Sequence, residues 1–166
     1  MTLLSGLSKS AVIAAFLSDL TTAIAEATAR ARATASSATH EEARSEDDKD
    51  TRGLEESYLA AGQAQRVADL ELERASFRSL PTRSFGEDTP LTAGALVLLA
   101  DEDGAERVLL ITTASGGRSV QVDGRTITAV TPGAPLGSAL LGRVIGDEVE
   151  IVVKGRTQAF ELVAVA

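Results

Sequence analysis

The chain has no cysteine and no tryptophan, and only one histidine, one tyrosine and four phenylalanines among its 166 residues. The absence of cysteine excludes disulfides, thiolate metal sites and a cysteine nucleophile, and it fits a reducing compartment. The lone His40 supplies neither a metal cluster nor a catalytic triad, and it reads as an exposed helix residue. Aromatics make up 3% of the chain, so any core must be built from Ala, Val, Leu and Ile. No uninterrupted apolar run approaches the length needed to cross a bilayer. Ala11–Leu17 is apolar, but no basic cluster precedes it and Asp19 follows it. It therefore reads as helix rather than signal peptide, and the expected location is cytoplasmic, with no membrane partner. An excess of positive charge is also missing. The formal net charge is −8 and the pI is about 4.7. Independent binding of duplex DNA through a broad basic face is not expected, because that binding rests on phosphate neutralisation. A basic protein groove is the more natural partner.

What remains is ordinary for a globular protein, with 44% hydrophobic and 24% charged residues. The length suits one ordinary domain or two small ones. The fold class expected is α+β, built from two unlike halves. Residues 1–80 read as an antiparallel coiled-coil hairpin with an acidic tip, 81–90 as a linker, and 91–166 as a β domain. In the first helix, Ile13, Leu17, Leu20, Ile24, Ala27, Ala31, Thr34 and Ala38 recur at alternating steps of four and three, which is a coiled-coil seam. Ser8 or Ser10 is the expected N-cap, and the helix should run to about Ala43, a rod of roughly 50 Å at about 1.5 Å per residue. The second helix should start near Gly53, capped by Asp50 or Thr51, and stop at Pro81. Its apolar set is Leu54, Tyr58, Ala61, Ala64, Ala68, Leu72 and Ala75, widened by Leu59, Val67, Leu70 and Phe77. Tyr58 is assigned to hairpin packing.

The turn between the helices, placed within about residues 44–53, carries Glu46, Asp47, Asp48 and Asp50. The hairpin is thus expected to hold carboxylates at one end and the β domain at the other. A charge run at a helical turn is usually just solvated surface. Arg30, Arg32, Arg44, Lys49 and Arg52 either contact a partner or balance these acids.

The second half consists of short apolar or alternating runs at 95–99, 107–113, 119–122, 126–130, 149–153 and 159–165. Asp103-Gly104, Gly116-Gly117, Asp123-Gly124 and Lys154-Gly155 punctuate them, which predicts an antiparallel sheet. Pro135–Gly142 is the one helix candidate there, packing Leu136, Leu140 and Leu141 on the sheet.

The segment Ala134-Pro135-Leu136-Gly137-Ser138-Ala139-Leu140-Leu141-Gly142-Arg143-Val144-Ile145-Gly146-Asp147-Glu148-Val149 resembles the C-terminal signature of the bacterial Gre (GreA/GreB) transcription elongation factors. The order of elements is also similar: coiled-coil hairpin, linker, FKBP-like sheet domain with a short helix. Ser57-Tyr58-Leu59-Ala60-Ala61 sits where that family has an acidic-Tyr-x-Ala-Ala stretch. The resemblance covers most of the chain and is most specific in residues 132–149. It implies an accessory factor rather than an enzyme. Such a factor binds RNA polymerase, inserts its tip through the secondary channel, and lends carboxylates to the polymerase magnesium that cleaves backtracked RNA. Magnesium takes hard oxygen ligands and lowers the pKa of its bound water. No cofactor of its own is implied, only that shared Mg; contact with the RNA 3′ end is left open.

The chain departs from the family's Asp-x-x-Glu-Asn-Ala-(Glu/Asp)-Tyr tip pattern. Counted back from Tyr58, Thr51 and Leu54 occupy the acidic positions. The resemblance then moves the carboxylate role to Asp47 and Asp50, with Glu46 and Asp48 beside them as further magnesium ligands. The alternatives are a channel-binding inhibitor without cleavage activity and a structural coiled-coil adaptor. Prolyl isomerase activity does not follow from an FKBP-like fold alone, and an aromatic proline pocket is hard to assemble from so few aromatics.

Overall fold

The structure, a computed structural model, describes residues 4–42 and 49–166, with the helical backbone alone between residues 38 and 52. Two long helices open the chain: α1 (Lys9–Glu42) and α2 (Lys49–Arg78). They are followed by β1 (Leu96–Asp101), β2 (Glu106–Ile111), β3 (Ser119–Val122), β4 (Arg125–Val130), a short helix α3 (Pro135–Leu140), β5 (Glu148–Val153) and β6 (Arg156–Val165). The class is α+β, as the sequence predicts. By contacts the chain divides into two units, Met1–Leu17 with Ala75–Ala166, and Ser18–Arg74.

The helices form a hairpin. Ser8 caps α1, its hydroxyl accepting from the Ala11 N–H at 3.4 Å. Near the start of α1 and the end of α2, Phe16 and Phe77 stack with ring centroids 4.8 Å apart, which makes the pair antiparallel. The expected seam of α1 holds: Ile13, Leu20, Ile24 and Ala27 are buried, and Leu17, Ala31 and Thr34 are half-buried. Phe16 joins them as a fully buried member.

The expected stripe of α2 holds only in three of its widening members, Val67, Leu70 and Phe77. Leu54, Tyr58 and Leu72 are 55%, 70% and 70% exposed, and Ala61, Ala64, Ala68 and Ala75 also face solvent. The inward set is instead Glu56, Ala60, Gln63, Val67, Leu70, Arg74 and Phe77, again at steps of four and three. An alanine-rich helix carries two such stripes, and burial follows the one holding Val67, Leu70 and Phe77. The cost is polar atoms in the seam: Gln63 Oε1 and Arg74 Nε are buried without a hydrogen-bond partner. α2 also starts at Lys49, earlier than the expected Gly53, so Asp50 lies in its first turn and is not its cap.

Over Lys9–Ser37, α1 is long and apolar enough, by length and composition alone, to span a bilayer. This corrects the expectation of no segment long and apolar enough, because scattered polar residues interrupt the run without removing its mean hydropathy. Its Val12, Phe16, Leu20 and Ile24 are buried within the protein, and most of the remaining apolar weight is alanine.

The six strands form one sheet in the order β3-β4-β2-β1-β6-β5. The strand positions follow the sequence expectation closely. The purely antiparallel sheet does not: β2 and β4 are parallel, with Leu109 opposite Thr128 and Ile111 opposite Val130. After β2 the chain passes over the adjacent lane, lays β3 at the edge and turns at Asp123-Gly124. β4 then fills the vacant lane in the direction of β2.

β1 is central, and Leu96, Val97, Leu98 and Leu99 are all fully buried. One face of the sheet packs Val97, Leu99, Leu109, Ile111, Phe160 and Leu162 under Phe85, Leu91 and Leu140. Leu136 is partly buried against that cluster, whereas Leu141, expected there too, is 37% exposed.

The segment 81–90 is mostly exposed and anchored by one buried side chain. Phe85 is in the core, with Lys9 Nζ 4.7 Å and the Arg83 guanidinium 4.9 Å from its ring. Lys9 donates to the Arg83 carbonyl at 2.6 Å. Burial, reinforced by the Arg83 charge, holds the Lys9 ammonium below its ordinary pKa.

The two α2 stripes are separable by mutation. Leu70→Ala empties a site that is 1% exposed and should cost about 2–5 kcal/mol. Leu72→Ala on the other stripe should stay within about 0.5 kcal/mol. Urea denaturation followed by circular dichroism measures both; equal effects would return α2 to the stripe expected from sequence.

Candidate functional site

Of the tip residues singled out from sequence, Glu46, Asp47 and Asp48 lie outside the described residues. Asp50 lies in the first turn of α2, where the helix dipole favours an anion, and its side chain is not described. His40 is in α1, and Lys49, Thr51 and Arg52 are in α2, again with backbone alone. Arg44 is outside the described residues. Among the described residues, no group of three or more His, Asp or Glu side chains converges on a metal position. The turn expected within about residues 44–53 lies outside the described residues over 44–48, and residues 49–53 already belong to α2.

Below the tip, α2 presents Leu54, Tyr58 and Leu59 to solvent, at 55%, 70% and 55% exposure. Tyr58 therefore does not pack the hairpin, contrary to its sequence assignment. On α1, Arg30 pairs loosely with Glu26 at 4.0 Å, and Arg32 is exposed. An exposed i,i+4 pair of that kind contributes only a few tenths of a kcal/mol.

The segment that carried the family resemblance is built for backbone geometry. Pro135 occupies the first turn of α3, where its missing N–H costs nothing. A Cβ on Gly137 would sit 2.0 Å from the Thr131 carbonyl oxygen, so the approach of α3 to the end of β4 requires glycine. Leu140 is fully buried beneath it. Gly142, at φ 77°, turns the chain so that its N–H reaches the Leu91 carbonyl at 2.9 Å. The Arg143 carbonyl accepts from Leu91 N–H at 2.9 Å. Asp147 Oδ2 accepts from the Val144 N–H at 3.0 Å and closes the next turn. Gly146, at φ 89°, donates to the Leu162 carbonyl at 2.8 Å and so ties the turn to β6. Pro132, Gly133, Pro135, Ser138, Leu141 and Arg143 remain exposed along this path.

Sequence reasoning missed a groove beside α3. It encloses about 510 Å³ and is lined by Glu106, Arg107, Val108, Leu109, Gly124, Arg125, Thr126, Thr128, Val130 and Leu136. No aromatic lines it. Phe16 and Phe77 stack on each other, Phe85 and Phe160 are in the core, and Tyr58 is on α2. The parallel pairing of β2 and β4 creates this groove, and nothing local in the sequence announces that pairing.

The structure is similar to that of the transcription factor Gfh1, with 19% identity over 91% of this chain and 93% of that chain, at a TM-score of 0.40. Gfh1 of Thermus aquaticus matches at 22% identity over 91% of this chain and 94% of that chain, TM-score 0.38. The prokaryotic transcription elongation factor GreA/GreB from Nitrosomonas europaea is 27% identical over 60% of this chain and 78% of that chain, TM-score 0.35. No protein-family model matches the sequence, and no curated protein does.

The roles of the signature residues are directly testable. Gly137→Ala should destabilise the sheet unit by about 3 kcal/mol through overpacking against rigid backbone. Gly133→Ala, with nothing within 4 Å of the added Cβ, should change it by less than about 0.5 kcal/mol. Asp147→Ala should cost about 1 kcal/mol by removing the acceptor for Val144 N–H. Thermal and urea unfolding of the three variants decides; a silent Gly137→Ala would refute the close approach.

Proposed function

We propose that this protein is a Gre-like transcription factor that binds RNA polymerase and carries its acidic hairpin tip into the secondary channel, modulating RNA cleavage in backtracked complexes. The observation that carries the reading is the sequence of Ala134–Val149, which resembles the Gre signature and forms α3 and the turns that lock it to β6. Two features support it. A helical hairpin precedes the sheet domain, and the segment that joins its two helices is acid-rich in sequence. The working division is 1–80 for the hairpin, 81–90 for the linker and 91–166 for the domain that docks at the channel. The protein acts in the cytoplasm as an accessory to the polymerase's own active site and has no cofactor of its own.

Cleavage would be carried by Asp47 and Asp50, one helical turn apart in sequence, with Glu46 and Asp48 beside them. Carboxylates at that spacing suit one shared magnesium, which takes several oxygen ligands.

A second reading is favoured by Leu54. The position where the family pattern places an acid holds a leucine that is 55% exposed. A factor that enters the channel with leucine there would occupy it without assisting cleavage.

Core polymerase should be retained by the immobilised protein at low salt, alongside a known Gre factor. On a stalled complex the protein should stimulate transcript cleavage, and Asp47→Asn with Asp50→Asn should abolish that stimulation while retention stays within about twofold. Failure of retention rejects the proposal. Retention without cleavage by the parent selects the inhibitor, and undiminished cleavage by the double variant rejects the metal-ligand assignment.

A further inference from the structure

The groove beside α3 carries chemistry that transcript cleavage does not use. Strands alternate faces, and the parallel register sets Leu109 beside Thr128. Arg107, Leu109, Thr126, Thr128 and Val130 therefore share one face. That face is the one whose inner part α3 covers. The cover stops at Leu136, and the sheet continues beyond it as an open floor. Its inner end is aliphatic, with Leu109, Val130 and Leu136. Its outer end is rich in donors, with Arg107, Arg125 and Thr126, and Glu106 is the one acid in the lining.

Two of these donors are held in place. The Arg107 guanidinium lies 5.2 Å from the Phe160 ring centroid, and this contact orients a side chain that is otherwise free. Gln121 Nε2 donates to Thr126 Oγ1. That bond uses an acceptor site on the hydroxyl and leaves its proton to donate elsewhere. Thr128 is satisfied by Ser119, its hydroxyl 2.8 Å away. An oriented guanidinium and a directed hydroxyl proton thus meet an aliphatic floor, with Arg125 lining the groove from the start of β4, in a chain whose net charge is −8. The volume, about 510 Å³, falls within the roughly 300–1,000 Å³ of small-ligand sites.

We propose that this groove binds an aliphatic carboxylate, with its hydrocarbon body against Leu109, Val130 and Leu136 and its carboxylate between Arg107, Arg125 and the Thr126 hydroxyl. Guanidinium groups recognise a carboxylate through paired N–H donors, and an ammonium does not reproduce that geometry. Two sources present this chemistry: a free short-chain acid, and the C-terminal carboxylate of a peptide ending in an aliphatic residue. The site is independent of the polymerase reading, since no polymerase enters its test.

The full-length protein, labelled with nitrogen-15, is titrated with sodium hexanoate, 1-hexanol, inorganic phosphate, and a pentapeptide ending in leucine with a free or amidated terminus. Hexanoate should shift the amides of Leu109, Thr128 and Leu136 saturably. Hexanol and phosphate, each with half of the required chemistry, should bind at least tenfold more weakly. Arg107→Ala and Arg125→Ala should each weaken hexanoate binding about tenfold, and Thr126→Val about threefold, with unchanged unfolding midpoints. Tighter binding of the free-acid peptide than of hexanoate assigns a chain terminus as the ligand; the reverse order assigns the free acid. Equal binding of hexanol and hexanoate, an amidated peptide as good as the acid, full affinity in both arginine variants, or no saturable shift at these amides would each overturn the proposal.

Discussion

Strand β1 is buried on both faces, and the unit that contains it is organised by that requirement. Leu96, Val97, Leu98 and Leu99 are all fully buried, so apolar cover is needed above and below the sheet. One layer comes from Phe85, Leu91 and Leu140. The buried apolar side chains left in the same unit for the opposite face are Leu7, Val12, Ile13, Phe16, Phe77 and Leu80. All belong to the roots of the long helices or to their immediate flanks. A domain with four phenylalanines cannot seal two layers with aromatic bulk. The buried side chains at the roots of the long helices belong to the same unit as the sheet, Met1–Leu17 with Ala75–Ala166.

Cohesion within the hairpin is graded. Leu20, Ile24, Ala27 and Leu70 are buried, whereas Ala31, Thr34, Ala60 and Gln63, nearer the turn, are only half-buried. Small seam residues bury little area and so contribute little packing energy. The outer half must then rely on helix propensity, and alanine is the strongest helix former. The unpaired Gln63 Oε1 subtracts further. A polar seam residue fixes register at a cost in stability, and Gln63 places part of that cost in the weaker half, Arg74 the rest near the base.

Much of the sheet was legible because its signals are local. Strand spans follow from alternation, and Asp123-Gly124 and Lys154-Gly155 mark hairpins with Asp123 and Lys154 at φ 50° and 51°. The parallel β2–β4 pair was not legible, because lane choice depends on where the chain goes after it leaves the sheet. α2 was misread for a different reason. Leu54, Tyr58 and Leu72 form a regular stripe, and periodicity alone cannot say which of two stripes is buried. Phe77 decides, through a partner on α1 that lies far away in sequence. The groove escaped notice because Arg107 and Thr126 become neighbours only through the parallel pair. The tip acids were visible as composition, but their arrangement lies outside the described residues.

The Ala134–Val149 segment is governed by backbone geometry rather than by side-chain chemistry. Gly137, Gly142, Gly146 and Asp147 are explained by close approach, positive φ and turn closure. None of these needs a ligand or a partner. Such residues specify how α3 lies on the sheet, and α3 in turn sets the inner wall of the groove through Leu136. Exposed neighbours such as Ser138, Leu141 and Arg143 face no such constraint. A fold hosts its functions in sites grafted onto it. What the chain binds should therefore be sought at exposed positions such as Leu54, Tyr58 and Arg107, and not in glycines whose role is backbone geometry.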